Sequence, residues 1–521
     1  GKVFFYDIAA GSYDPALTID CSVSRVEGIS FTKSDRFMFL NSEDNFIQVW
    51  DLSIRKLVAT LYPNTTTDDW AVITPDGRFD ASVNAQSYMF FRKDLDLFPL
   101  SSLFEQFYTP ALLPRILAGE VFPEVEVDFN IIKQAPVVKI RYQEIDHRNL
   151  EVEDDIATYI NATGLAEVTV TASSKDDIID EIRLFHNGKI VTLTTRNLIV
   201  EDESINREAS KKYTITLLPG ENKLRALALN SQRTESKPSE ISVIYRQDNQ
   251  SAPVKPVIPG NSMIDPVDKS ATLHLIVVGI NQYENPSMSL NYALADATAF
   301  KMELEKDVKT IISNINTHFV TDGLANKQGI QQAFEEVQKT AKPTDVLIFY
   351  YAGHGVIGKD KEFYLVPTDV SDLKNVQTEL EQKGIPSGLL QQYAIDIQAQ
   401  KQLFILDACQ SAGAFEALLS SNGDQQKSIA VVARSTGTHW MAASGAQQYA
   451  NEFSQLGHGA FTYVLLEALK GSAAADKMIT VNGLKNYLQQ GVPELMKKYS
   501  GTLQYPASYG FGNDFPVEIL K

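Results

Sequence analysis

Hydrophobic and polar positions follow three rhythms along this chain. Over residues 1–95, short apolar runs are separated by polar turns, and one run recurs. Val3-Phe4-Phe5-Tyr6-Asp7 and Ile47-Gln48-Val49-Trp50-Asp51 both end in aromatic-Asp, and the two aspartates stand 44 positions apart. Gly28 to Leu40 reads as two strands around a polar turn, and Trp70 to Ser82 continues the same pattern. A recurrence of about 40–45 residues predicts sheet units that stack as repeats. Leu103, Phe104, Phe107, Leu112, Leu113, Ile116 and Leu117 then fall at helical spacing, which predicts a connecting helix pair over 98–120, interrupted at Pro110. From 136 to 246 the period shortens to two. Strands are expected at 137–142, 166–172, 181–185, 189–193, 213–218, 224–229 and 241–245, with Asn187-Gly188 as a tight hairpin turn. Residues 247–268 carry Pro253, Pro256, Pro259, Gly260 and Pro266 and read as a linker. Beyond it, strands at 273–280, 317–321, 345–351, 402–406 and 440–444 alternate with helices at 292–305, 328–340, 388–397 and 460–469. That alternation predicts a mostly parallel sheet flanked by helices, with reactive groups where the strands end.

The expected fold class is therefore multidomain. The first segment resembles the WD-repeat family, whose signature dipeptide is matched by Trp50-Asp51. That resemblance implies propeller blades. Because roughly four to eight blades close a propeller, residues 1–95 amount to an incomplete β-propeller segment, to be completed by chain upstream of Gly1 or by a partner chain. Seven short strands in 135–246 predict an immunoglobulin-like β-sandwich without its disulfide. The expected units are 1–95 (blades), 96–134 (helical connector), 135–246 (sandwich), 247–268 (linker) and 269–521 (the α/β unit).

Composition adds exclusions. The 521 residues are 44% hydrophobic and 21% charged, an ordinary balance for several soluble units. No apolar run approaches the ~18 residues that span a bilayer. A net charge of −18 disfavours nucleic acid or an anionic membrane as partner, since phosphates would repel the chain. The opening Gly-Lys-Val-Phe-Phe lacks the pattern of a signal peptide. Two cysteines, Cys21 and Cys409, and seven histidines make neither a disulfide framework nor a Cys-rich zinc site. The expectation is a reducing, cytoplasmic setting and a protein without cofactor or metal.

Two strands run into chemistry. Val346-Leu-Ile-Phe-Tyr-Tyr-Ala-Gly-His-Gly355 delivers His354, and Leu403-Phe-Ile-Leu-Asp-Ala-Cys-Gln-Ser-Ala-Gly413 delivers Cys409. Both polar elements follow their strand at the same end, so neighbouring parallel strands bring imidazole and thiol together. A thiol of pKa about 8.5 is a poor nucleophile at neutral pH until a neighbour favours the thiolate. His354 can take that proton and return it to a leaving amine. A helix expected to begin near Ser411 would add its positive end beside the sulfur. Gly355, lacking Cβ, lets its N–H approach a substrate carbonyl. Cys21 is expected to be an ordinary buried thiol. His186 is expected to be a solvated hairpin residue, and His439 and His458 to serve packing.

The motifs Tyr-Ala-Gly-His-Gly at 351–355, Asp-Ala-Cys-Gln-Ser at 407–411 and Gly-His-Gly-Ala-Phe-Thr-Tyr at 457–463 resemble the caspase/metacaspase family of cysteine peptidases, over roughly 272–515. The 55-residue step from His354 to Cys409 is close to the ~50 of caspases. The resemblance implies a caspase-like α/β fold, a His354/Cys409 dyad, and an oxyanion hole made by the N–H groups of Gly355 and Cys409. Caspases carry Gln-Ala-Cys, whereas here Asp407 takes the first position, as in metacaspase-like enzymes. These pair that Asp with an acidic residue of the first helix, and Leu290-Asn-Tyr-Ala-Leu-Ala-Asp296 puts Asp296 in that role. Two carboxylates in a partly desolvated pocket want a cation, so the substrate is expected to carry Arg or Lys before the cleaved bond. Ala352 stands where the family often has Ser, which removes a hydroxyl from the pocket. Calcium activation would need extra acidic residues after the Cys, and 411–419 offers only Glu416. The polar run 420–427 is where self-processing is expected, at Lys427 or Arg434. The expected function is a cysteine endopeptidase whose upstream modules sense or recruit protein substrates. The alternative is a non-catalytic, protease-like scaffold, which the intact His354/Cys409/Asp407 set disfavours. The joining of blades to such a domain suggests a bacterial-type architecture by analogy.

Overall fold

In the computed structural model, which describes residues 2–520 apart from 14–17, 22–24, 126, 143–150, 154–155, 192–206, 247–263, 410–421, 444–451, 454 and 500–503, the repeat-bearing segment forms one antiparallel meander. Strands β1 (Val26–Phe31), β2 (Phe37–Ser42), β3 (Ile47–Asp51), β4 (Lys56–Pro63), β5 (Trp70–Ile73) and β6 (Phe79–Ala81) pair in sequence order. Asp51 of the Trp-Asp dipeptide accepts from Arg36 at 2.8 Å and from the Ser53 N–H at 2.9 Å, which ties the β2–β3 pair together. The earlier copy around Asp7 makes only two-residue strands, Lys2–Val3 with Ile19–Asp20 and Tyr6–Asp7 with Ser12–Tyr13. No closed propeller is formed among the described residues. Cys21 is buried with Ile19, Met38 and Leu40, as expected of a packing thiol. The connector is made of short helical turns, Leu100–Leu103, Phe104–Phe107 and Leu112–Leu117, in place of two full helices.

Residues 137–245 build two sheets. One holds β7 (Val137–Tyr142), β10 (Leu165–Ser173) and β13 (Glu208–Thr216) in the order β7-β10-β13. The other holds β8 (Glu151–Glu153), β9 (Ile156–Asn161), β11 (Ile179–His186), β12 (Lys189–Ile190), β14 (Gly220–Asn230) and β15 (Ser239–Tyr245), in the order β8-β9-β15-β14-β11-β12. Alternating inward residues of both sheets, among them Val168, Val170, Leu184, Ile215, Leu224 and Val243, share one core, as period-two patterning requires. The β8 and β9 strands were absent from the sequence expectation, and β9 runs parallel to β15.

The C-terminal unit comprises β16 (Thr272–Gly279), α1 (Ala293–Asp307), β17 (Asn314–Thr321), α2 (Lys327–Thr340), β18 (Val346–Ile357), β19 (Phe363–Leu365), α3 (Ser387–Asp396), β20 (Lys401–Cys409), α4 (Asn422–Thr436), β21 (His439–Ala442), α5 (Ala460–Glu467), α6 (Val481–Tyr499) and β22 (Ala507–Gly510). The central sheet runs β17-β16-β18-β20-β21-β22, with every pair parallel except the edge pair β21/β22. All twelve residues of β18 are buried, so it reads as a continuous apolar run with no alternation. One face packs α2, α3 and α4 through Phe334, Tyr393 and Val432, and the other packs α1, α5 and α6 through Phe300, Leu465 and Leu488. In α2, Ile330, Ala333, Phe334 and Val337 make the buried stripe, and the Asn326 side chain caps it by accepting from Gly329 N at 2.8 Å.

Two contacts lock the units together, and each corrects an expectation. The first is the β11–β12 hairpin. Asn187 and Gly188 take φ 50° and 87°, as its tight turn needs. Its tip enters the C-terminal unit: His186 lies between Asn222 Oδ1 at 2.8 Å and Gln400 Nε2 at 3.0 Å, and Asn187 Nδ2 donates to Gln400 Oε1 at 3.2 Å. His186 is therefore buried, not solvated, because another unit covers the turn. Next to it the Lys189 ammonium donates to the Ile397 carbonyl at the end of α3. Burial pushes Lys189 down to about 7, against the pull of Asp396.

This group makes stability depend on pH with a definite sign. An unfolded Lys keeps its proton to about 10.4, so between pH 7 and 10 the unfolded chain binds more protons and stability rises with pH. The cost is full below pH 7. Lys189→Met is expected to raise the urea midpoint most at pH 6–7, with the gain over wild type shrinking toward pH 10. An equal gain at both pH values would show that Lys189 does not titrate in this way.

The second contact is α4. The run 420–427 was expected to be a polar loop, yet from Asn422 the chain is helical. Ile429, Val432 and Ala433 pack beneath the sheet against Phe404 and Trp440, while Ala430 packs on Phe104 and Phe107 of the connector. Lys427 Nζ donates to the Gln106 carbonyl at 2.9 Å. Arg434 pairs with Glu235 in the connection between β14 and β15, donates to the Ser101 carbonyl at 3.0 Å, and lies over the rings of Phe104 and Phe511. The two self-processing candidates thus sit in an anchored helix, and a peptidase that reads extended chain reaches them only if α4 unwinds.

Candidate active site

Strands β18 and β20 run on through His354 and Cys409 and pair in parallel up to that point, with His354 directly opposite Cys409. The two residues expected to act as base and nucleophile are therefore register partners on adjacent central strands. Residues 410–421 lie outside the described part, so the helix expected near Ser411 does too.

The imidazole is fixed on every side. His354 Nε2 lies 2.6 Å from the Met288 carbonyl, which accepts only if Nε2 carries the proton. That tautomer leaves Nδ1 with a lone pair, the form a base needs. The Met288 carbonyl is itself positioned by a turn, in which Met288 N–H donates to the Asn285 carbonyl at 3.0 Å, and by the buried Met288 side chain. The Tyr283 ring packs against the imidazole, tilted by 37° at 4.8 Å between centroids, and its hydroxyl accepts from His354 N–H at 2.9 Å. The Tyr351 hydroxyl donates to the His354 carbonyl at 2.9 Å.

These contacts explain the two glycines around the His. A Cβ on Gly353 would meet the Tyr351 hydroxyl at 2.7 Å and the Tyr283 hydroxyl at 3.0 Å. A Cβ on Gly355 would meet the Phe363 ring at 2.9 Å and Ala408 Cβ at 3.0 Å. Gly355 was singled out for access to a substrate; its neighbours also demand Gly for packing, opposite Leu365 of β19.

A second group of side chains gathers beside the dyad strands. Ala352 of β18 is buried and stands in register between Gly279 of β16 and Asp407 of β20. Gly279 needs its missing Cβ because α1 packs onto it, with Ala297 Cβ only 2.6 Å from where one would be. This close approach brings Asp296, in the first turn of α1, over the strand ends. Asp296 and Asp407 both face Gly459: an atom placed as its Cβ would lie 3.2 Å from Asp296 Oδ2 and 3.4 Å from Asp407 Oδ2. Asp296 Oδ1 accepts from His458 Nδ1 at 2.6 Å, and Oδ2 accepts from Gly459 N–H at 3.1 Å. Asp407 Oδ2 accepts from Thr462 Oγ1 at 2.5 Å, and the Thr462 hydroxyl is 2.6 Å from that of Tyr350. Both carboxylates push the buried Tyr350 hydroxyl upward in pKa, after burial itself. The arrangement suits a cation: two acidic groups share one partly enclosed place, each held by neutral or imidazole donors.

The expectations for the other histidines divide. His439 is buried between Lys485 Nζ at 3.1 Å and the Asn513 carbonyl at 2.9 Å, and burial, then Lys485, pushes it down to about 3. It is a packing residue. His458 is not, since it holds Asp296. The packing role expected of it is corrected by this contact, and Gly457-His458-Gly459 repeats the Gly-His-Gly of 353–355. Tyr283, Met288, Tyr350 and Thr462 were missed as well, and their polar roles have no local signature.

Comparison with known proteins gives one domain assignment. Residues 273–509 match the family model described as the caspase domain. No curated protein matches the chain. Among solved structures, the chain is similar to the crystal structure of caspase-1 from Spodoptera frugiperda, at 12% identity and a TM-score of 0.36, over 51% of this chain and 97% of that one. It is also similar to the fibronectin(III)-like modules of Clostridium thermocellum CbhA, at 17% identity and a TM-score of 0.14, over 19% of this chain and 96% of that one.

Proposed function

We propose that the caspase domain at residues 273–509 is a cysteine endopeptidase that cleaves after Arg or Lys. His354 Nδ1 takes the Cys409 thiol proton as the sulfur attacks the scissile carbonyl carbon. The resulting oxyanion is held by the N–H groups of Gly355 and Cys409, a contribution typically worth about 3 kcal/mol per donor. The tetrahedral adduct collapses, the C–N bond breaks, and His354 gives its proton to the leaving amine. Water, activated by the same imidazole, then hydrolyses the thioester and frees the thiol. Asp296 and Asp407 receive the substrate cation, and the upstream β units serve to sense or recruit the protein substrate. The observation that carries this reading is the pairing of His354 opposite Cys409, with Nε2 committed to the Met288 carbonyl.

Fluorogenic peptides that differ only in the residue before the cleaved bond test it under reducing conditions. Arg and Lys peptides are expected to turn over at least about a hundredfold better than the Asp peptide. In Asp407→Asn that preference should fall by about tenfold or more, through KM. Turnover that survives in Cys409→Ala, or an Asp peptide preferred over Arg, would remove the proposal. A wild type inert to every peptide would leave a protease-like domain that binds without cutting.

A further inference from the structure

Both acidic groups of the proposed pocket are held from one short segment, and one of its three donors is of a different kind. Gly459 N–H is a fixed backbone group, and Thr462 Oγ1 is fully buried at the start of α5. His458 is a side chain about one quarter exposed, unlike the buried Thr462. His458 reaches Asp296 Oδ1 at 2.6 Å, shorter than the 3.1 Å from Gly459 N–H to Oδ2. The two aspartates face the same glycine, and left unconstrained, close carboxylates turn apart or share a proton. Donors that fix each carboxylate plane set where the remaining lone pairs point, and so where a cation is best satisfied.

We propose that His458 is a positioning residue for substrate specificity: its Nδ1–H fixes the Asp296 carboxylate at the angle in which Asp296 and Asp407 together grip an Arg or Lys side chain. This rests on the basic-residue preference proposed above. It adds that the preference depends on a side chain that is neither acidic nor part of the dyad. Removing it leaves the Gly459 N–H on Oδ2 but takes the His458 donor away from Oδ1, so the angle of the carboxylate is less tightly set.

The experiment compares wild type, His458→Ala and His458→Asn on Arg and Lys peptides, with alkylation of Cys409 by iodoacetamide as a second readout. Alkylation uses the dyad and not the pocket. In His458→Ala, KM for both peptides is expected to rise about tenfold, the loss typical of one hydrogen bond to a charged group, with kcat within about twofold. Alkylation should keep its wild-type rate. His458→Asn, whose Nδ2 can donate near the position of Nδ1, should recover most of the loss. An unchanged KM in His458→Ala overturns the inference while leaving the peptidase reading intact. So does a fall in kcat and in alkylation rate in both variants, which would mark a general structural role. If wild type cleaves neither peptide, the peptidase reading and this inference fall together.

Discussion

Replacing His354 by alanine is expected to lower kcat/KM on an Arg peptide by about a thousandfold or more, chiefly through kcat. The size follows from how completely the imidazole is committed. Its Nε2 is tied to the Met288 carbonyl at 2.6 Å, its backbone N–H to Tyr283 and its carbonyl to Tyr351. Among the described residues the other two histidines of this region have other partners: His439 is buried beside Lys485 and His458 is engaged with Asp296. Without a base at this position the Cys409 thiol keeps its proton at neutral pH, and both attack and amine departure lose their proton carrier. Iodoacetamide separates chemistry from folding. Cys409 in His354→Ala should alkylate far more slowly at pH 7 than in wild type and should gain rate as the pH is raised. Cys21, about 1% exposed and raised in pKa by burial, should stay unmodified in both while the fold is intact. Equal alkylation rates for Cys409 in the two proteins would mean that His354 is not its base.

Glu235→Ala is expected to cost about 3–5 kcal/mol, the range for stripping a partner from a buried charge. Arg434 is only 13% exposed and Glu235 5%. With Glu235 gone, the guanidinium keeps the Ser101 carbonyl and two aromatic faces but loses the carboxylate that faces it. The loss should appear as a lower urea midpoint for the intact chain. It should couple with Arg434→Met, because the double variant removes both charges and leaves an apolar side chain against Phe104 and Phe511. Two strictly additive losses would show that the pair is not the clamp described here. Since α4 is the first described element after Cys409, the same variants test whether the connector and sandwich support the strands that carry His354 and Cys409.

Much of the site was legible before any coordinates. The apolar runs 346–351 and 402–406 ending in Gly-His-Gly and Asp-Ala-Cys predicted that His354 and Cys409 would lie side by side, because parallel strands deliver their ends to one edge. Asp296 and Asp407 followed from matched motifs, and the two fall on one glycine. The polar helix α4 was not legible. Its local sequence, Asn-Gly-Asp-Gln-Gln-Lys-Ser, signals a loop, and the helix forms because Phe104, Phe107 and Glu235 cover it from far along the chain. His186 was misjudged for the same reason: a hairpin tip reads as solvated until another unit closes over it.

What the sequence determined alone is whatever depends on the period of apolar residues and on residues next to one another: the strand and helix alternation, the hairpin at Asn187-Gly188, and the placement of His354 and Cys409 at two strand ends. Only the tertiary structure decided which polar atoms face one another across long separations. It placed the Met288 carbonyl on His354, His458 on Asp296 and Arg434 on Glu235. Hydrogen bonds and ion pairs act over a few ångströms and carry no periodic trace along the chain, so packing alone selects their partners.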